Sequence, residues 1–251
     1  RPTLTQVLEF ISHIRTSNAP WDLDVETRGD TLNCFGLESR LRPSTAICIP
    51  IQTTTGPYWS AIEEAAIWKE LSLAARDNPF LENQNLMYDV EYLLDMGVEP
   101  SGFSADSMIM ANVAFPELPK GLDFLASIFT YYHYWKDEGK TWKKSVPDEK
   151  VWRYNCQDMV GTPKVTTALT KDLKEKNLYE VYKTLSHKFL NIALEMQRNR
   201  LRLNRDWHQK LAGYLADERI LKHGQLSDLI GREINVKSSD QVAELLFEEL
   251  R

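Results

Sequence analysis

The sequence predicts an α/β layered fold followed by an all-helical tail. Strand-like segments come first and then alternate with helical ones, the order that builds a sheet covered by helices. From about residue 171 onward helical spacing dominates. The 251 residues suffice for one large domain or a domain and a half. We expect the α/β part over 1–185 and the helical part over 186–251.

The elements follow in order. Val7, Leu8, Ile11 and Ile14 have helical spacing, and Asn18-Ala19-Pro20 ends that helix. Trp21 to Glu26 alternates, with Trp21, Leu23 and Val25 on one face and Asp22, Asp24 and Glu26 on the other. That is a strand, and its two-residue period puts Asp24 and Glu26 on the same face. After a turn at Gly29-Asp30, Leu32–Leu37 and Ala46–Ile51 read as two further strands, an antiparallel start to a sheet. Ser60-x-x-Glu63 is a capping box opening a helix to about Arg76. Phe80-Leu81 reads as a short strand, and Asn85 as the N-cap of a helix reaching Met96, with Gly97 as its stop. Asp106–Phe115 and Gly121–Phe129 read as two more helices. Pro147 suits the first turn of another, which Gly161-Thr162-Pro163 should end. Lys171–Leu203 is a long helical region with a break expected near Ser186.

The formal net charge is −6. Residues 1–185 carry 19 Lys and Arg against 26 Asp and Glu, whereas 186–251 carry 11 against 10. An acidic chain is not an obvious nucleic-acid binder, but bound cations reverse the local sign. No apolar run reaches the length of a membrane span, so no membrane partner is expected. The chain opens on Arg1 rather than Met and reads as a piece of a longer protein. Cys34, Cys48 and Cys156 lack metal-ligand spacing and read as free thiols. The histidines show no HxxxH or HExxH pattern. Tyr131–Trp152 is rich in lysines and in aromatics, Tyr131, Tyr132, Tyr134, Trp135, Trp142 and Trp152. It reads as a lysine-rich loop over packed aromatics, with a flap near substrate as the second reading.

Three acidic islands carry the chemistry: Asp24-Val25-Glu26, Asn85-Leu86-Met87-Tyr88-Asp89 and Tyr154-Asn155-Cys156-Gln157-Asp158. Four carboxylates with few basic neighbours suit hard cations such as Mg²⁺ or Mn²⁺. Two such ions can clamp a phosphodiester for in-line attack by water. Asp24 is the candidate bridge between them. Glu26 and Asp158 complete the first ion, Asp89 reaches the second directly or through water, and Tyr154, one helical turn from Asp158, orients the water. Taken alone, each piece has an ordinary explanation: a solvated strand face, an exposed helical pair, or a helix cap followed by a dipole-favoured acid. The order and the agreement of local structure carry the joint case.

These islands resemble the three motifs of the 3′–5′ proofreading exonuclease domain of family A DNA polymerases, in the DEDD superfamily. Asp24-Val25-Glu26-Thr27, Gln84-Asn85-Leu86-Met87-Tyr88-Asp89 and Tyr154-Asn155-Cys156-Gln157-Asp158 carry the resemblance, and Tyr154 marks the tyrosine branch. Asp106-Ser107-Met108 and Gly121–Ala126 resemble the family's segments between motifs two and three. Leu194–Asn199 and Ile234–Gln241 resemble the start of the polymerase thumb, although Arg200 and Asn204 depart from the usual pattern. The resemblance implies an RNase H-like fold, a mixed central sheet flanked by helices. It implies two Mg²⁺ or Mn²⁺ ions, entry of single-stranded DNA by its 3′ end, and release of nucleoside 5′-monophosphates. Thr27, Gln84, Asn85 and Tyr88 become candidates for holding the terminal nucleotides. Palm and fingers would be partners in the full-length chain. The compartment implied is the cytoplasm of a bacterium or phage-infected cell, with the mitochondrion as the other. The rival readings are an exoribonuclease of the same superfamily and a silent DNA-binding or structural domain.

Overall fold

The computed structural model describes residues 1–137 and 146–249. The expected aromatic and lysine-rich loop therefore lies partly outside the described residues, Trp142 included. Two compact units divide between Arg198 and Asn199.

The first unit is built on a five-stranded mixed sheet in the order β3-β2-β1-β6-β7. Strands β1 (Trp21–Arg28), β2 (Thr31–Ser39) and β3 (Ala46–Pro50) pair antiparallel. Strands β6 (Leu81–Asn83) and β7 (Phe103–Asp106) run parallel to β1. A small hairpin, β4 (Gln52–Thr53) and β5 (Gly56–Pro57), follows β3. The pleat of β1 sorts its side chains as the sequence predicts. Trp21, Leu23 and Val25 enter the main apolar core with Val7, Ile11 and Ile14 of α1 (Leu4–Thr16) and Ile67 and Leu71 of α2 (Ala61–Asp77). Asp22, Asp24 and Glu26 point to the other face, which the long helix α6 (Asp148–Glu175) covers. Both α1 and α2 begin with complete capping boxes, Thr3 with Gln6 and Ser60 with Glu63. Helices α3 (Leu86–Asp95), α4 (Ser107–Ala114) and α5 (Leu122–Phe129) complete the surround, and α4 and α5 pack on α6.

Two expectations are corrected. Helix α6 does not stop at Gly161-Thr162-Pro163 but runs through Pro163 to Glu175. A proline in a helix interior costs about 3 kcal/mol. Burial of Met159, Val165, Leu169 and Leu173 on both sides of it outweighs that cost. The next break comes at Asn177, which adopts a left-handed φ of 57°, rather than at Ser186. A short α-turn (Tyr179–Val181) and a π-helical turn (Tyr182–Ser186) then lead without interruption into α7 (His187–Asn199). Strand β7 was not foreseen, being four residues long and joined to α4 without a turn signal. The two compact units divide after Arg198. Leu190 and Leu194 of α7 are buried in the main core of the first unit, which holds that helix there.

The second unit, Asn199–Arg251, contains α8 (Arg205–Ile230) and α9 (Ser239–Glu244). Asn204 caps α8 through a 3.0 Å bond from the Trp207 amide, and Gly231, at φ 72°, terminates it. Among the described residues no helix is long and apolar enough to cross a membrane.

Candidate metal centre and active site

Asp24 and Glu26 project from β1 toward α6, where Tyr154, Asn155 and Asp158 lie. Carboxylate oxygens of Asp24, Glu26 and Asp158 all lie within 4.8 Å of one another. The strand supplies two acids by its two-residue period, and the helix supplies the third.

Two glycines make room around α6, one for the sheet and one for the Trp135 ring. Gly36 of β2 pairs with Asp24 across the ladder. A Cβ there would meet the Asn155 amide and lie 2.6 Å from Met159 Cγ. Asn155 uses that room to donate to Asp24 twice, at 2.9 Å to Oδ2 and 3.1 Å to the backbone carbonyl. Gly161 of α6 makes space for the Trp135 ring, which a Cβ would strike. The Trp135 indole N–H donates to Asp158 Oδ1.

The second Asp158 oxygen accepts from Lys136 Nζ at 2.6 Å, and the same ammonium donates to the Tyr154 hydroxyl at 2.7 Å. Asp158 is 4 % exposed, so this ion pair is largely shielded from water. Sequence reasoning missed Trp135, Lys136 and Asn155 as site residues. Asn155 sits inside the third island, but Trp135 and Lys136 belonged to a stretch read as loop or flap.

Asp89 is brought alongside without joining the convergent three. Only 2 % exposed, it accepts the Val25 amide at 2.9 Å and the Asn83 side-chain amide at 2.6 Å. Both its oxygens are thus engaged with the backbone of β1 and the end of β6. Thr27 and Tyr88 meet at 3.3 Å between hydroxyls, and the Tyr88 ring is half exposed against Tyr92. A bulge between Glu26 and Thr27 shifts the register at that point. Gln84 is spent within the protein, donating to the Lys120 carbonyl at 2.6 Å and accepting from Ser107. Asn85 stands in the N-cap position at φ 64° but makes no side-chain cap. Asp106 caps instead, receiving the Leu86 amide at 2.8 Å and the Ile109 amide at 3.1 Å, so one carboxylate serves both α3 and α4.

The electrostatics suit a cation. Burial and the neighbouring Asp158 push the Asp24 carboxyl up to about 7, against opposing pulls from Lys136 and Asn155. Burial, then Asp24 and Asp158, hold Glu26 well above the ordinary carboxylate range. Burial and Asp24 raise Asp89, and burial raises Asp158 despite Lys136 and Trp135. Burial and Asp158 push Tyr154 up to about 12. Lys136 is itself raised: burial pulls it down, but Asp158 and Tyr154 more than offset that. Two buried carboxyls, Asp89 and Asp158, and two partly buried ones, Asp24 and Glu26, stand against the Lys136 ammonium. An oxygen-only set of this kind fits hard divalent cations, and the three convergent acids could hold one.

No protein-family model matches the chain. It is 23% identical over 257 aligned residues to DNA polymerase I of Borreliella burgdorferi, across 99% of the chain and 28% of that protein. It is 25% identical over 174 residues to DNA polymerase I of Synechocystis, across 66% of the chain and 18% of that protein. The chain therefore spans less than a third of the length of these curated relatives. Among solved structures, it matches the POL domain of Pol1 from M. smegmatis in complex with DNA primer-template and dNTP. That match has a TM-score of 0.64 at 15% identity over 97% of the chain and 39% of that structure. The catalytic core of RRP6 from Trypanosoma brucei matches with a TM-score of 0.55 at 14% identity, over 75% of the chain and 50% of that structure. The five-stranded mixed sheet flanked by helices is an RNase H-like fold, and in sequence and fold together the chain resembles the exonuclease-like domain of family A DNA polymerases.

Proposed function

We propose that the chain is a divalent-metal-dependent 3′–5′ exonuclease that removes nucleoside 5′-monophosphates from single-stranded DNA, as the proofreading part of a DNA polymerase. The observation that carries this reading is the meeting of Asp24, Glu26 and Asp158 within 4.8 Å, with Tyr154 one helical turn from Asp158. Asp24, Glu26 and Asp158 would hold the ions, two Mg²⁺ or Mn²⁺, with Asp89 beside them. Such ions supply charge neutralisation at the phosphodiester and a nucleophile from water at neutral pH.

The chain's own residues do the rest. Asn155 fixes the rotamer of Asp24 by its bond to Oδ2. Asp89 ties α3 to the backbone of β1 between the two strand acids, which keeps both at their stations. Tyr154 orients the attacking water. Thr27 and Tyr88 form an exposed lip beside the acids where a terminal base can stack on the tyrosine ring. The amide of Asn85, not used as a cap, is a second contact for the terminal nucleotide. Gln84, engaged at both ends, holds the loop that presents Asn85. The polymerase palm and fingers would lie elsewhere in a longer chain. Both curated relatives are bacterial, which favours the bacterial cytoplasm over the mitochondrion.

The test is incubation with matched 5′-labelled DNA and RNA oligonucleotides, with Mg²⁺ and with EDTA. A ladder shrinking from the 3′ end of DNA, absent with EDTA, is the expected result. Shortening of RNA in preference to DNA would move the assignment to an exoribonuclease. Intact oligonucleotides under Mg²⁺, and again under Mn²⁺, would leave a silent domain.

A further inference from the structure

Among the described residues, Lys136 is the cation set against the acids at this centre, and its charge reaches all three convergent acids: Asp24, Glu26 and Asp158. Asp158 meets protein donors on both oxygens, Trp135 on one and Lys136 on the other at 2.6 Å. Asp24, by contrast, receives the Asn155 amide on Oδ2. A divalent ion ligated by Asp158 therefore shares Oδ2 with the ammonium or Oδ1 with the indole N–H, and in either case sits on a carboxylate that Lys136 already neutralises.

Resting on the metal-site reading above, we propose that Lys136 is a built-in competitor for the divalent ion at Asp158. Without metal, its ammonium pairs with Asp158 and reaches the Tyr154 hydroxyl at 2.7 Å, so the third island is already arranged. Its side chain lies near the Tyr154 ring, with Nζ 4.6 Å from the centroid, which fixes the ammonium from a third direction. With metal, two like charges cannot both sit against one largely buried carboxylate without strong repulsion, because little solvent screens them. The first ion is held by Asp24 and Glu26, and Asp158 joins it only as Lys136 withdraws. Lys136 thus sets the affinity of the site for divalent ions and holds it closed to weakly bound ones. It acts on the chemistry through Asp158 and Tyr154 and is a positioning residue.

The experiment is calorimetric titration of the full chain with Mn²⁺ at pH 8, using the native protein, Lys136→Met, Lys136→Arg and Asp24→Ala. Lys136→Met removes the charge at similar length and should bind Mn²⁺ at least about tenfold more tightly. Lys136→Arg keeps the charge and should stay within a few-fold of the native protein. A gain in affinity is not what structural damage produces, and Lys136→Gln serves if the Met variant does not fold. Binding by Lys136→Met where the native protein shows none would also support the proposal. Native binding that Lys136→Met leaves unchanged or weakens overturns it while sparing the metal site. Absence of Mn²⁺ binding in every variant, or native binding that Asp24→Ala leaves intact, overturns the metal-site reading and this proposal with it.

Discussion

Asp24 is held from two directions before any ion arrives. Asn155 donates to its side chain and to its backbone carbonyl, and the strand that carries it is tied to α3 through the bond from the Val25 amide to Asp89. Removing the amide in Asn155→Ala should therefore lower the exonuclease rate with less effect on substrate affinity, a split that steady-state kinetics on a short oligonucleotide would show. Tyr154→Phe keeps the ring and loses the hydroxyl. If that hydroxyl orients water, single-turnover rates should fall by about 10²–10³, the range for one positioned polar group. An unchanged rate would return Tyr154 to a packing role. At this scale the sequence was informative where the signal is local. Asp24 and Glu26 share a strand face, and Tyr154 and Asp158 share a helix face, so spacing alone paired them. Trp135 and Lys136 were not legible in that way. They precede Asp158 by about twenty residues, and only the packing of an irregular segment on Gly161 brings them to it.

At the scale of elements, the contact of α6 with the sheet decides the geometry. Gly36→Ala would place a methyl group where the Asn155 amide and Met159 now sit. Overpacking of this kind costs about 1–3 kcal/mol. Urea unfolding should show that loss, and activity should fall further than stability because Asn155 must move off Asp24. The start of α6 is fixed by Asp148, which receives the Thr54 amide at 3.0 Å, the Thr54 hydroxyl at 2.9 Å and Arg28 at 2.8 Å. Burial pushes the Asp148 carboxyl up, but these donors outweigh it and hold it below its ordinary value. A depressed carboxyl contributes stability above its unfolded pKa of about 4, and that stability is lost as pH falls through the folded value. Asp148→Asn should thus lower the melting temperature at pH 7, with the gap to the native protein narrowing in acid. Element positions were mostly readable because caps and periodicity are local: the Ser60–Glu63 capping box stands where the sequence puts it. The length of α6 was not, because Gly161 and Pro163 signal an end that burial along the helix overrides.

For the whole molecule, the division after Arg198 has a measurable consequence. Leu190 and Leu194 lie in the main core, so a fragment ending at 185 loses both, whereas one ending at 198 keeps them. Fully burying a leucine is worth about 1.5–3 kcal/mol, so the shorter fragment should be less stable by roughly 3–6 kcal/mol in denaturant titration. Equal stability would show that α7 adds nothing to the core. The acidic balance of the sequence, which argued against a general nucleic-acid field, is consistent with a site that depends on bound cations for its attraction to phosphate.

The central claim is that Asp24, Glu26 and Asp158 hold the ions that cut a 3′-terminal phosphodiester. The most direct measurement is the Mg²⁺-dependent single-turnover cleavage of a 5′-labelled single-stranded DNA by the native chain beside folded Asp24→Ala. Stepwise loss from the 3′ end by the native chain, with none detectable in the variant, is the predicted result. Comparable cleavage by Asp24→Ala would contradict the account.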